Sequence, residues 1–383
     1  MNTGFSQRFI SFVRDMYHEE GFIPLHVPRF TGNEKQYVNE CIDSTFVSSV
    51  GKFVDDFEKA CAAYCGVKFA VATVNGTAAL HMALALKNIG PGDGVITQPV
   101  SFVATANAIA YTGATPVFVD VDKDLLSLSP EKLKSFLEKE TLLRDGILCH
   151  KASGLKLRAC VLMHTFGHPG DIEAIAALCE KYGLFMIEDA AESLGSFYKG
   201  RHTGSFGHVG TLSFNGNKII TTGGGGMMLF NDEALARRAK HITTTAKLQH
   251  PWDYAHDEIG YNYRMPNINA ALGLAQLEGL PSFLEKKRRL AQAYQEFCAQ
   301  QDIVFVVERG GMKSNYWLNA LIFKDRDERD LFLKDTNEGK VMTRPLWKLL
   351  DRLVPYEKCP KGNLDNAIWL EDRVVNIPSS VPR

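Results

Sequence analysis

Lys218 sits in the middle of SFNGNKIITTGGGG, residues 213–226, hemmed in by asparagines and followed by four glycines. Alone, a lysine in a glycine-rich loop reads as a solvated side chain. Its chemical alternative is imine formation, which needs an amine free of bulky neighbours. Asp189 ends the apolar run LFMIED, 184–189. An acid at a buried strand end is costly unless paired. By itself it reads as a cap for the next helix; beside a buried cation it reads as a counter-ion. Asn75, Gly76 and Thr77 stand between an apolar run and a helical one. The plain reading is N-capping by Asn75. A helix N-terminus also presents free N–H groups and partial positive charge, which suit a phosphate, and Thr77 adds a hydroxyl. Ser213 is a second hydroxyl donor, and Phe102, after VITQPVS, is a flat ring for the core or for stacking. Together these residues are the parts of a pyridoxal phosphate site. They supply a lysine for the Schiff base, an acid for the ring nitrogen, hydroxyls and a helix end for the phosphate, and an aromatic platform. An opposite charge at close range moves a pKa by about 1–3 units, enough to keep a pyridinium protonated at neutral pH.

The elements that must position these groups alternate. FAVATV (69–74) reads as a buried strand, NGTAALHMALALKNIG as a helix ended by GPGDG, VITQPV as a strand, FVATANAIAYTG as a helix and TPVFVDVD as a strand. The pattern resumes with ACVLMHTFG, a helix IEAIAALCEKYG for which Asp171 is a cap, and LFMIED. Strands alternating with helices imply right-handed crossovers and a mostly parallel sheet, whose sites lie outside the carboxyl ends of the strands. Residues 131–156 read as a helix followed by a polar loop. After about residue 260 the texture becomes α+β: a long helical stretch broken at Pro281, short strands in IVFVVE and YWLNALIF, and a charged helix over 326–338. We therefore expect an α/β protein with three parts. Residues 1–48 pack with the small domain or a partner, 49–258 form a large domain, and 259–383 form a smaller C-terminal α+β domain.

Bulk properties exclude several classes. The chain has 383 residues, 45% hydrophobic and 23% charged, with a formal net charge of −1, so nothing advertises nucleic-acid or membrane-surface binding. Eight cysteines without a C-x-x-C pair read as reduced thiols of a cytoplasmic protein. No uncharged apolar run reaches the length of a membrane span. His164 and His168 are four apart, but Gly167 and Pro169 argue against a helix presenting both to a metal, and no metal is expected. There is no P-loop, no G-x-G-x-x-G and no G-x-S-x-G.

The stretches NGTAALHMAL, HTFGHPGDI, IEDAAESLGS, SFNGNKIITTGGGGMM and GYNYRMPNINAALG together resemble the DegT/StrS-type sugar aminotransferases, in the same order over about 20–383. The resemblance implies a fold-type I, pyridoxal phosphate-dependent homodimer with active sites at the subunit interface. It implies the cofactor held covalently on Lys218, Asp189 at the pyridine nitrogen and Phe102 on the ring. Gly76, Thr77 and Ser213 would hold the phosphate, and Asn262 would reach the phosphate of the neighbouring subunit. Glu192 takes a position near the ring hydroxyl, and Arg344 is a candidate for an anion contact or a structural ion pair. Relatives with histidine in place of the lysine are dehydratases; Lys218 places this chain with the aminotransferases. The opening FIPLHVPRFTGNEKQYVNECIDSTFVSSVGKFVDDFE is similar to the aminotransferases of legionaminic acid biosynthesis. These move an amino group from L-glutamate to C4 of a nucleotide-linked 4-keto-6-deoxy-N-acetylglucosamine. The alternatives are a perosamine- or bacillosamine-type 4-aminotransferase, and a non-catalytic sensor that kept the fold.

Overall fold

The computed structural model describes residues 4–301 and 303–382. Residues 1–3 and 383 of the terminal segments, and residue 302, lie outside the described residues. The apolar runs form a sheet in the order Phe69–Thr73, Gly226–Phe230, Val209–Ser213, Phe185–Asp189, Lys156–Met163, Asp93–Thr97 and Thr115–Phe118. All neighbours run parallel except Gly226–Phe230, which is antiparallel to both its neighbours. The strands read as near-continuous apolar runs because helices cover both faces. Val95 and Val161 pack on one side with Leu80, Met82 and Ile109 from the helices Gly76–Ala85 and Val103–Tyr111. Ile96, Cys160 and Leu162 face the other side, against Leu133, Phe136 and Ile175 from Pro130–Glu140 and Ile172–Tyr182. This is the two-residue alternation of a strand buried twice.

A second sheet, Val304–Phe305, Asn319–Ile322, Val374–Ile377 and Arg344–Pro345 in spatial order, is wholly antiparallel. The N-terminal helix Gly4–Tyr17 packs there, in an aromatic cluster of Phe5, Phe9, Tyr294, Phe323 and Phe332. Helix Asn267–Ala299 ties the two parts together. Its Leu277, Leu280 and Phe283 belong to the core beside the large sheet, and its Leu290, Ala291 and Tyr294 to the aromatic cluster. At 33 residues it is about 50 Å long.

Three sequence expectations need correction. The long helix does not break at Pro281 but continues through it. Proline removes one backbone donor, and burial of Leu277, Leu280 and Phe283 on both sides of it holds the helix together. Residues 141–150 are not a polar loop but a hairpin, Thr141–Arg144 with Ile147–His150, set on the edge of Lys156–Met163. Asp171 stands at the cap position of its helix, yet its side chain caps nothing; it accepts from the Tyr198 hydroxyl at 3.0 Å. All eight cysteines are free. Among the described residues no helix is long and apolar enough to cross a membrane.

Candidate active site

Asp189 is the last residue of a central strand and is buried. Its Oδ2 accepts from the Thr105 hydroxyl at 2.7 Å and its Oδ1 from the Ala191 amide at 3.2 Å. Ser101 backs Thr105 at 2.8 Å. Burial pushes the carboxyl above its ordinary range; the Thr105 and Ala191 hydrogen bonds and the Lys218 charge oppose that push without cancelling it. The carboxylate's hydrogen bonds come from a hydroxyl and an amide, not from a cation.

Lys218 lies in the turn after strand Val209–Ser213 and is only 12% exposed at its side chain. The solvated-lysine reading fails. Its Nζ is 3.3 Å from Glu192 Oε1 and 3.9 Å from the centre of the Trp317 ring. Glu192 Oε2 accepts from the Phe166 amide at 2.9 Å. Burial raises the Glu192 carboxyl to about 7 in spite of Lys218. Phe166 adopts a left-handed conformation at φ 57°, uncommon for a phenylalanine, and this turns its N–H toward Glu192.

Gly76 opens its helix against Ser213: a Cβ there would lie 2.8 Å from Ser213 Cβ and 3.4 Å from the Leu212 carbonyl. Only glycine permits this approach, which leaves the helix N-terminus and the Ser213 hydroxyl side by side. Asn75 does cap this helix, accepting from Ala78 N at 2.7 Å, so the plain and the functional readings hold together. Gly226, last of the glycine run, is needed for contact too, since a Cβ would fall 2.4 Å from the Asn75 carbonyl. Thr77 lines a cavity of about 240 Å³ with His81, Tyr111 and Tyr263. Phe102 is 53% exposed, a face left free rather than a core residue. Its ring meets Trp347 edge-on at 6.4 Å, and Trp347 meets Phe166 at 5.0 Å.

Two predicted residues stand apart within the single chain. Asn262 is exposed and accepts from Arg264 at 3.2 Å. Arg344 is exposed and bonds to Asn337 and to the Thr343 carbonyl. Sequence reasoning missed Thr105, Phe166 and Trp317. Thr105 had a signal, being one helical turn after Phe102 and facing the same strand end. The residues fit pyridoxal phosphate: Gly76 lets a helix N-terminus lie against Ser213 where a Cβ would hold them apart, and Asp189 is a buried acid whose hydrogen bonds come from no cation.

A mostly parallel sheet with a shielded lysine, a buried acid and a helix N-terminus at its carboxyl end defines a fold-type I pyridoxal phosphate enzyme. The chain belongs to the DegT/DnrJ/EryC1/StrS aminotransferase family, which residues 28–382 match, and it is a pyridoxal phosphate-dependent sugar aminotransferase. It is 39% identical over 361 residues to GDP-perosamine synthase of Escherichia coli O157:H7, covering 94% of this chain and 93% of that protein. It is 37% identical to GDP-perosamine synthase of Caulobacter vibrioides, covering 93% of each. The crystal structure of the aminotransferase TlmJ from Streptoalloteichus hindustanus superimposes with a TM-score of 0.85 at 30% identity, covering 94% of both chains.

Proposed function

We propose that this enzyme moves the amino group of L-glutamate to C4 of a nucleotide-linked 4-keto-6-deoxy-N-acetylhexosamine, as in legionaminic acid biosynthesis. The observation that carries the chemistry is the shielded Lys218 amine 3.3 Å from Glu192, with the buried Asp189 on the adjoining strand. When bound, pyridoxal phosphate supplies the electron sink that makes the donor's α-proton acidic. Lys218 would hold the cofactor covalently, and its free Nζ would carry a proton to and from the reacting carbon. Asp189, fixed by Thr105 and Ala191, keeps a proton on the ring nitrogen. Glu192 would sit near the ring hydroxyl, and its carboxyl, raised to about 7, would suit proton exchange with that oxygen or with Lys218 near neutral pH. The helix end at Gly76, with the hydroxyls of Thr77 and Ser213, takes the phosphate, and Asn262 reaches it from the neighbouring subunit of a homodimer. Phe102 would stack on the ring, and Arg344 would serve an anion, the donor carboxylate or the diphosphate. Eight free cysteines support a reducing, cytoplasmic setting.

A second reading has its own support. The relatives named GDP-perosamine synthase favour a GDP-linked 4-keto sugar without the N-acetyl group. One experiment separates the two: UDP- and GDP-linked 4-keto sugars offered with glutamate, the product's mass and stereochemistry being read. Turnover of only the N-acetylated sugars supports the legionaminic reading, and turnover of only the GDP-linked sugar without that group replaces it. Lys218→Ala should abolish both the visible absorption of bound cofactor and turnover; normal transamination by that variant would sink the assignment.

A further inference from the structure

Trp317 reaches the site from the far part of the chain, in the bend before strand Asn319–Ile322. It is buried, and each of its polar groups is engaged. Its amide donates to Asn315 Oδ1 at 2.7 Å and its carbonyl accepts from the Lys287 amine at 3.2 Å. Its indole N–H donates to the Asn217 carbonyl at 2.7 Å. The segment around it is stitched to the loops of the site. Asn315 Nδ2 donates to the carbonyls of Glu192 and Leu194, both at 2.9 Å, and the Leu318 amide donates to the Phe166 carbonyl at 3.2 Å. The indole cannot turn without breaking buried hydrogen bonds, which is expensive.

A core tryptophan held this firmly would present its face to apolar neighbours. This one presents its face to the Lys218 amine, 3.9 Å from the ring centre. Indole is the side chain whose face best attracts a cation, and the attraction grows where water is kept out. Lys218 is shielded, so little water competes. A second group at the amine is Glu192 Oε1, 3.3 Å away. Burial raises that carboxyl to about 7, so near neutral pH a share of the molecules has it protonated, when it holds a cation weakly. The attraction of the ring does not titrate. The bond to Asn217 also ties the indole to the residue just before Lys218, so the ring and the lysine keep their register.

We propose that Trp317 is a positioning residue for Lys218: its indole face seats the lysine's free amine while that amine carries a proton. The inference rests on Lys218 being the reacting lysine. In the half-reaction the donor's α-C–H bond breaks, its electron pair stays with the carbon and cofactor, and the proton forms a new N–H bond on Nζ. The same proton then leaves Nζ for the accepting carbon, so none is gained or lost overall. Between the two transfers Nζ is an ammonium on a long, mobile stem. It must neither swing away from the two carbons nor give its proton elsewhere. A fixed ring face meets both needs, because it attracts the cation and has no basic atom to take the proton.

The test uses full-length protein with Trp317→Leu, which removes the ring, and Trp317→Phe, which keeps a ring and drops the N–H. With cofactor bound, decay of the visible band is followed after mixing with saturating glutamate, ordinary or deuterated at the α-carbon. Both variants should keep the band and the cofactor content. Trp317→Leu should slow the decay by about 3- to 30-fold, the range for a shielded cation–π contact, with little change in KM. Its isotope effect should rise above that of wild type, because proton transfer has become the slow step. Trp317→Phe should recover most of the rate. A second readout needs no turnover: in cofactor-free protein, acylation of Lys218 read by peptide mass should be about threefold faster or more in Trp317→Leu, with Trp317→Phe near wild type. A Trp317→Leu decay within about twofold of wild type would overturn the proposal. So would an equal loss in Trp317→Phe, which would assign the residue's part to its N–H. A slowed decay with isotope effect and acylation unchanged would overturn it too, as the mark of a merely structural role, and so would loss of the band in both variants. If Lys218→Ala still turns over, the reading beneath the proposal fails first, whatever the Trp317 variants do.

Discussion

Glu192 is one residue whose environment makes a prediction by itself. Its carboxyl is raised to about 7 by burial, against 4.5 for an ordinary glutamate. The folded state therefore holds a proton that the unfolded chain has released between those values. The stability gained is fully present below 4.5 and is lost as the pH rises through 7. In the cofactor-free protein, the thermal midpoint of the wild type should fall relative to Glu192→Gln over that window and run parallel to it above; parallel curves throughout would contradict the raised carboxyl. Lys218, Asp189 and Ser213 were legible in the sequence because each breaks the local pattern, a charge or hydroxyl where apolar strand gives way to small residues. Phe166 and Trp317 broke no pattern. A phenylalanine in a left-handed turn looks like any core phenylalanine, and Trp317 arrives from the bend before strand Asn319–Ile322, 100 residues beyond the Asn217 carbonyl it meets.

The elements owe their positions to a few contacts that tolerate no substitute. Gly76→Ala would place a methyl 2.8 Å from Ser213 Cβ, so the helix must part from the strand. Cofactor affinity should weaken by about tenfold or more, since one well-placed charged hydrogen bond contributes roughly that much; a titration of the cofactor-free protein with pyridoxal phosphate checks it. Glu188, next to Asp189 but on the opposite face, has a different task. It accepts from the amides of Gly204, Phe206 and Gly207 and pairs with His164 at 3.1 Å, both side chains of that pair being fully buried. Burial alone would raise its carboxyl, but His164 and the loop amides outweigh it and hold it below the ordinary range. Glu188→Ala leaves these donors unpaired and should cost on the order of 3–5 kcal/mol, seen as a lower thermal midpoint, with Glu188→Gln milder. The alternation of apolar runs and helices was legible because period and length agree. The hairpin after Pro130–Glu140 was not, because its strand Thr141–Arg144 carries a half-exposed face and reads as polar. His164, considered in the sequence for metal binding, serves the Glu188 network instead.

At the scale of the molecule, the residues that stay separate in one chain point to assembly. Asn262 is exposed, and in the segment before it Trp252, Tyr254 and Ile259 are 80%, 77% and 85% exposed, large apolar side chains that a second chain would cover. If two chains share each site, Lys218→Ala and Asn262→Asp should each be inactive as homodimers yet regain about a quarter of wild-type activity when unfolded and refolded as an equal mixture, because half the dimers are mixed and each of those has one intact site. No recovery would place Asn262 outside the partner's site. The order of the central sheet also bears on the birth of the protein. Strand Phe69–Thr73 lies at the sheet edge with Gly226–Phe230 as its one sheet neighbour among the described strands. On the ribosome it must wait, unpaired, while residues 74–225 are made, roughly eight to thirty seconds at about 5–20 residues per second. The same late strand completes the cradle between Gly76 and Ser213. The growing chain should therefore capture cofactor only after Gly226–Phe230 has emerged, and until then its apolar edge is open to misassociation.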